Sequence, residues 1–494
     1  MKKNHYTFKS AKKKAFTVCY RTLLFSALFL FFSCNDWLNI TPLGQVDEDK
    51  MFDDARGFHQ TLAGSYSLLT SSSAYGRELT VGFPDEIVRY WNQQSEFYNF
   101  NYTDATVASR LSATWNKLYE AIANLNLLLE HAKDKNAESL ENYNLIVGEA
   151  KALRAYIHLD LLRLFGPVLK NGLEQPSIPY REEFSNNITK RMSAGEVIGK
   201  IKTDLGEAYQ LLQDDPVRVN GRKDTVTTDT RPESPAFAYH YRGVRMNYYA
   251  VCATLARVHL LTGEKSKALD YAMEVINDHE AFQLSAGDVL NLQDLMFQRE
   301  LVWSLYCPEM NTLYSASFGF SYNIDVDFRT YIYTGAHAHG LVDDYRLNHW
   351  WGRSSTVPVF DFLKKYQRTF DQNNRDITAW DPVISMIRLS EVYYMAAEAN
   401  IGTNDAEARR LLNLVRDSRN LNTRPLPEGM SNNDLMEQIV YETLKDAWGE
   451  GKLFYLYKRL FHPIIIRESS IPASNAIFEL PIPREEIEHG GNKV

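Results

Sequence analysis

The sequence predicts a mainly α protein: tetratricopeptide-like helix pairs forming an α/α superhelix, with a large irregular loop-rich insertion at about 284–382. Three observations lead there. Apolar residues recur at helical spacing over long stretches, capping signals open several of those stretches, and small residues sit where two helices would touch. The 494 residues are 45% hydrophobic and 13% aromatic, with 25 Gly and 17 Pro, which describes a globular chain long enough for a sizeable core.

The first 33 residues hold seven Lys or Arg and no acid, followed within them by the apolar run Thr22 to Ser33. Twelve residues are too few to cross a bilayer, which takes about 20, so the run matches the apolar core of an export signal. It ends in Ser33-Cys34, a small residue and then cysteine, which resembles a bacterial lipoprotein processing site with Cys34 as the lipidated first residue. The expected division is therefore 1–33 signal peptide and 34–494 mature domain, tethered by acyl chains. Removal of the signal takes the formal charge from −8 to −15. That balance excludes a nucleic-acid partner, because phosphate neutralisation needs clustered Lys and Arg. Of the four cysteines, Cys19 leaves with the signal and Cys34 carries lipid. Cys252 falls in a helical apolar pattern and is expected as a buried thiol; pairing with Cys307 stays open.

Along the mature chain, Ile146, Ala150, Leu153, Ile157, Leu161 and Leu164 mark one face of a long helix, and Gly166-Pro167 ends it as a left-handed cap followed by proline. Ser193 with Glu196 and Asn404 with Glu407 form capping boxes ahead of apolar runs. Between Met246 and Asn277 lie two helices split at Gly263, with Ala256, Ala268 and Ala272 allowing close approach; this spacing resembles a tetratricopeptide unit, and Ala396 to Val415 is a looser copy around Gly402. Gly166 to Lys190, Asp214 to Tyr241 and Leu284 to Pro382 lack helical periodicity, and long loops on a rigid frame are where binding surfaces usually sit.

Enzyme signatures are missing: no His-Glu-x-x-His, Gly-x-Ser-x-Gly, phosphate loop or dinucleotide fingerprint occurs. His337 and His339, with Asp343, Asp344 and His349 nearby, have the side chains of a zinc site, but a solvated loop is the commoner meaning of such a cluster. Asp325 and Asp327, like Asp53 and Asp54, pair as glycosidase carboxylates would, yet 62 acidic residues supply such pairs by chance. No catalytic residue, metal site or cofactor is expected. Sugar binding needs flat rings ringed by amides and charges. Tyr90, Trp91 and Asn92, preceded by Asp85 and Arg89, form the first candidate. Trp350 and Trp351, in a polar Gly-bounded loop where both are hard to bury, form the second, with Tyr75 and Tyr322 after them. Each ring has a plain alternative, packing beneath its own loop. Trp115 and Trp448 lie in helical patterns and are expected in the core. Arg154 and Arg388 are expected in structural ion pairs or caps.

Several segments, in order, resemble the SusD/RagB family of nutrient-binding outer-membrane lipoproteins. They are Cys34-Asn35-Asp36-Trp37-Leu38, Leu153-Arg154-Ala155-Tyr156, Arg163-Leu164-Phe165-Gly166-Pro167, Arg388-Leu389-Ser390-Glu391-Val392, Ala397-Glu398-Ala399, Leu412-Asn413-Leu414-Val415-Arg416, Glu450-Gly451 and Leu480-Pro481-Ile482-Pro483-Arg484. Near the end the chain departs from the family pattern, with a helix expected to begin at Glu442-Thr443 and with Leu453 and Leu456 where an arginine and an aspartate are usual. The resemblance implies four tetratricopeptide-like helix pairs and a non-catalytic protein on the outer face of the outer membrane. It further implies an oligosaccharide ligand and a lid role on a SusC-like TonB-dependent transporter, with the Tyr90 segment in a ligand-facing loop. A peptide ligand or a ligand-free helical scaffold are the alternatives.

Overall fold

The computed structural model describes residues 48–92, 94–222, 241–287, 294–310, 312, 322–335, 343–355, 359–368, 372–373, 382–467 and 469–491. Residues 54–494 form one unit, and a separate unit, 1–53, contributes only the short helix Glu48–Met51 to the described structure. Cys34, Gln93, His337 and His339 lie outside the described residues.

Four helix pairs build the frame, as expected. In the first, α1 (Ala55–Leu69) packs on α2 (Ala105–Ala132), each opened by an aspartate cap: Asp54 accepts from the Arg56 amide at 2.9 Å, and Asp104 from Thr106 at 2.8 Å. Val107, Leu111, Trp115, Leu118, Ile122 and Leu125 follow the 3.6-residue period and form the buried stripe of α2. α3 (Tyr143–Phe165) is buried almost all round, because α2 flanks it on one side and its pair partner α4 (Ala194–Leu211) on another. Arg154 joins the three, with a bidentate pair to Asp204 at 2.7 Å and a bond to Asn126 at 2.8 Å. The third pair is α5 (Tyr248–Leu261) with α6 (Lys265–Ile276), turned at Gly263 with φ +75°. After the insertion, α8 (Leu389–Asn400) and α9 (Asp405–Ser418) repeat the pattern around Gly402, and α6 packs on α8 so that these pairs stack.

The insertion is less irregular than its composition suggests. It contains β1 (Leu301–Tyr306), α7 (Val326–Thr334), β2 (Trp351–Arg353) and β3 (Asp361–Leu363). β1 pairs antiparallel with β4 (Val383–Arg388), which runs straight into α8, while β2 pairs with β3. The chain closes with α10 (Asn432–Asp446), α11 (Lys452–Leu460) and the hairpin β5 (Ile464–Ile466) and β6 (Ser469–Ile471).

Three local expectations are corrected. Gly166 is extended (φ −76°, ψ 172°), not left-handed; a Cβ there would sit 2.4 Å from the Leu162 carbonyl oxygen and 2.9 Å from Ser177 Oγ, so close approach requires the glycine. The Lys458 ammonium caps this helix end instead, donating to the carbonyls of Leu164 at 3.1 Å and Gly166 at 2.7 Å. Ser193 and Glu196 form the full capping box, but Asn404 and Glu407 form half of one: Asn404 accepts from the Glu407 amide at 3.2 Å while the Glu407 carboxylate turns to Arg410 at 2.7 Å. Glu442 lies near the end of α10, not at a helix start.

There Glu442 and Asp446 of α10 and Glu450 in the following turn are buried and gather cations, most of them from distant segments. Glu442 holds Arg346 (2.8 Å), Arg416 (3.0 Å) and Lys445 (2.9 Å). Asp446 holds Arg346 at 2.7 Å, and Glu450 holds Arg388 and Lys365. These charges fasten Arg346, Lys365 and β4 to the helical frame. Leu453 is fully buried. Cys252 and Cys307 are both buried and free. Among the described residues no helix is long and apolar enough to cross a membrane.

Candidate functional site

Trp448, in the turn between α10 and α11, is the centre of an aromatic cluster. Its ring centroid lies 4.0 Å from Tyr90, 5.7 Å from Trp91, 5.0 Å from Trp351 and 6.4 Å from Phe328, and Tyr322 sits 5.6 Å from Trp91. Tyr90 Oη donates to the Leu444 carbonyl at 2.9 Å, and Trp91 Nε1 to the Val81 carbonyl at 3.0 Å. The ring polar atoms of the Tyr90 segment are thus satisfied inward, which is how a buried Tyr or Trp is accommodated. Four candidates named from sequence, Tyr90, Trp91, Trp351 and Tyr322, meet in this cluster although up to 261 positions separate them.

Their exposure is the correction. Trp91 is 1% exposed, Trp350 0% and Trp351 7%, so adjacent tryptophans in a polar loop are both buried after all. They alternate across a strand start: Trp351 faces Trp448, while Trp350 packs 5.3 Å from Phe297 with the Lys365 ammonium 4.5 Å over its ring. Tyr75 is elsewhere, inside the helical frame, donating to Asp160 at 2.6 Å. It borders a cavity of about 130 Å³ lined by ion pairs, among them Arg257 with Glu391 and Arg459 with Glu398. In this arrangement Trp350 and Tyr75 offer no face to a ligand, and the other candidate rings lie beneath the surface.

Above the cluster lies a surface cleft of about 680 Å³. Its floor is Tyr90, Trp91 and Phe328; one wall is Arg89, Asn92 and Tyr98, and the other is Asp325, Asp327 and Tyr331 of α7 with Arg467 and Ser469 of the β5–β6 hairpin. Asn92 is exposed at the rim, its backbone N–H donating to the Asn323 carbonyl at 2.8 Å. The Arg89 guanidinium lies 4.0 Å over the Tyr98 ring. Asp325 caps α7, accepting from the amides of Asp327 and Phe328 at 2.8 and 3.0 Å, and pairs with Arg467 at 2.5 Å. Burial raises the Asp325 carboxyl, but the Phe328 amide and Arg467 outweigh it and hold it below the ordinary aspartate value. Asp325 is thus a helix cap and, with Asp327, an ion-pair partner of Arg467 in the wall. Asp344, near the histidine cluster, likewise caps a short helix and binds Arg346. Among the described residues no group of three His, Cys, Asp or Glu is arranged to hold a metal.

Both cleft arginines have left-handed backbones, Arg89 at φ 62° and Arg467 at φ 52°. Such conformations cost free energy in a bulky residue and gather at functional sites. Sequence reasoning named Arg89 only in passing and missed Tyr98, Tyr331, Arg467 and Ser469. Backbone sign is invisible in sequence, and Arg467 lies 378 positions from Arg89.

Comparison with known proteins decides the family. Residues 43–228 match the SusD-like model described as "Starch-binding associating with outer membrane", and residues 355–464 match that of the SusD family. The chain belongs to the SusD/RagB family. Among the relatives of this SusD/RagB chain, SusD-like protein P2 of Formosa agariphila is 23% identical, covering 96% of this chain and 98% of that protein. SusD-like protein P25 of the same organism is 24% identical over 56% of this chain and 50% of its own length. The fold matches a SusD superfamily protein of Bacteroides thetaiotaomicron at TM-score 0.67 and 22% identity, covering 90% of this chain and 98% of that one. It also matches a SusD-like carbohydrate binding protein of Bacteroides vulgatus at TM-score 0.66 and 18% identity, covering 88% and 96%. The helix-pair fold is thus the SusD superfamily fold, in a family described by carbohydrate binding and outer-membrane association.

Proposed function

We propose that this protein captures an oligosaccharide in the cleft above the Trp448 cluster and passes it to a TonB-dependent outer-membrane transporter, without catalysing a reaction. The carrying observation is the cleft itself: two rings, an amide, two arginines and two aspartates from three distant segments converge over a packed aromatic floor. Tyr98, Tyr331 and Asn92 supply the ring edges and the amide that pyranose hydroxyls and apolar faces require. Tyr90, Trp91, Trp351 and Tyr322 act from below, as the packed layer that fixes the wall. Binding function for the family, and carbohydrate binding for its relative of known structure, support the ligand class. In the same reading residues 1–33 are removed, residues 34–494 form the mature protein, and Cys34 bears the lipid that holds it on the outer face of the membrane. Tethering beside the transporter lets modest affinity suffice.

Calorimetric titration of the protein with a polysaccharide panel and a tryptic peptide mixture tests the reading. Heat with a glycan, weakened about threefold to tenfold by Tyr98→Ala or Asn92→Ala as expected for loss of a ring contact or a neutral hydrogen bond, is the expected result. Heat with peptides alone would overturn it. Metabolic labelling with a fatty acid, abolished by Cys34→Ser, checks the anchor.

A further inference from the structure

Within the cleft the two arginines are in different electrostatic states. Arg467 is neutralised by its own wall, with Asp325 at 2.5 Å and Asp327 at 3.6 Å. Arg89 is not. Its Nη2 donates only to the Tyr98 carbonyl at 3.2 Å, its guanidinium rests over Tyr98 and at 5.3 Å from Phe100, and its Nε is buried without a hydrogen-bond partner. Among the described residues no carboxylate oxygen comes within ion-pair distance of it. This contrasts with the buried arginines of the frame, where Arg154, Arg242, Arg346, Arg388, Arg416 and Arg419 each meet a carboxylate. A guanidinium that is half-buried, held over a ring and set on a left-handed backbone, without an acid, is a cation that no carboxylate of the described residues neutralises and that the cleft leaves open to an anion.

We infer that the ligand is an acidic glycan, whose carboxylate or sulfate ester pairs with Arg89 while Asn92 and Ser469 hold neighbouring hydroxyls. This deepens the glycan reading and rests on it. A planar anion suits the guanidinium fork, and the partial burial of the site makes the pair stronger than one on an open surface. The formal charge of the whole chain is −8, so no long-range field draws a polyanion in. The discrimination acts at contact, within a Debye length of about 8 Å at physiological salt.

The test is a titration of the full-length protein with matched oligosaccharide sets on several backbones, each set comprising a neutral, a uronate-bearing and a sulfated member. Expected is an affinity margin of about tenfold or more for an acidic member over its neutral counterpart, the size of one charge-assisted contact. That margin should vanish in Arg89→Gln, partly return in Arg89→Lys and shrink at high salt in the unaltered protein. The uronate and sulfate arms tell the two anion sources apart. Equal or better binding of the neutral members, or a margin that survives Arg89→Gln and high salt, overturns the acidic ligand and leaves the glycan reading standing. No binding by any member overturns the glycan reading itself. Should Arg89→Gln unfold, the salt dependence of the unaltered protein decides alone: a salt-independent margin, or none, overturns the inference.

Discussion

Single residues divide into those that face the ligand and those that hold the wall behind them. Trp91 is the clearest of the second kind, with its indole N–H spent on Val81 and its ring between Trp448 and Tyr322. Trp91→Ala should therefore cost about 3–5 kcal/mol of stability, the range for a buried aromatic, seen as a lowered denaturant midpoint in a chemical melt. Tyr98→Ala, at the half-buried rim, should leave that midpoint nearly unchanged while weakening ligand. If the two variants exchanged these phenotypes, the assignment of floor and wall would be wrong. The tryptophan pair shows why sequence placed these rings outside. Polar and glycine neighbours describe the backbone's surroundings, whereas alternation at the start of β2 sends Trp351 to Trp448 and the preceding Trp350 to Phe297.

Among the elements, helix boundaries were legible where the chemistry is local. The Ser193 box closes within four residues, so its consequences are local too: Ser193→Ala should lower stability by about 1 kcal/mol, measurable by thermal unfolding. The Asn404 box failed by half because Glu407 also has Arg410 one turn away, and a charged fork outcompetes a backbone amide for the carboxylate. Glu442 was misplaced for a related reason. Its partners Arg346 and Arg416 lie on other elements, so its role is set by tertiary contact. Glu442→Gln leaves those buried cations undercompensated and should cost about 3–5 kcal/mol, with the 343–355 segment around Arg346 becoming the first region to lose protection in hydrogen exchange. Uniform protection in that variant would show that the segment is held by packing alone.

For the whole molecule, buried ionisable groups set the acid limit. Burial lowers His59 to about 4 and His158 to about 3 from an ordinary 6.5. His158 is seated as a neutral ring, Nδ1 against the Arg154 carbonyl at 2.9 Å and Nε2 accepting from the Arg181 amide at 3.1 Å. A second proton would have no acceptor. With both folded values below the unfolded one, the unfolded chain binds protons first, and stability falls as pH drops from 6.5 toward 4. Glu442, Asp446 and Glu450 are held below the ordinary carboxylate range: burial opposes this, but the surrounding Arg and Lys prevail. Their contribution is present above the ordinary 3.8 to 4.5 and is lost as pH falls further, through their folded values. The expected melting profile descends first below pH 6.5 and again below 4.5, and His158→Gln should flatten the upper step. A melting temperature constant between pH 6.5 and 4.5 would refute the histidine account.

The sequence by itself determined the two helix pairs that turn at Gly263 and Gly402, the apolar face of α3, the core role of Trp115 and the structural role of Arg154; Trp448 is in the core as expected, but in a turn and not in the helical pattern expected for it. Each is written in periodicity, capping or a motif spanning a few turns. Only the tertiary structure decided which aromatics are floor and which residues form the cleft. That choice depends on which faces of segments hundreds of residues apart meet, on the sign of φ at Arg89 and Arg467, and on which charges find a partner. Local sequence carries no record of those contacts, because burial belongs to the surface a residue meets, not to its neighbours in the chain.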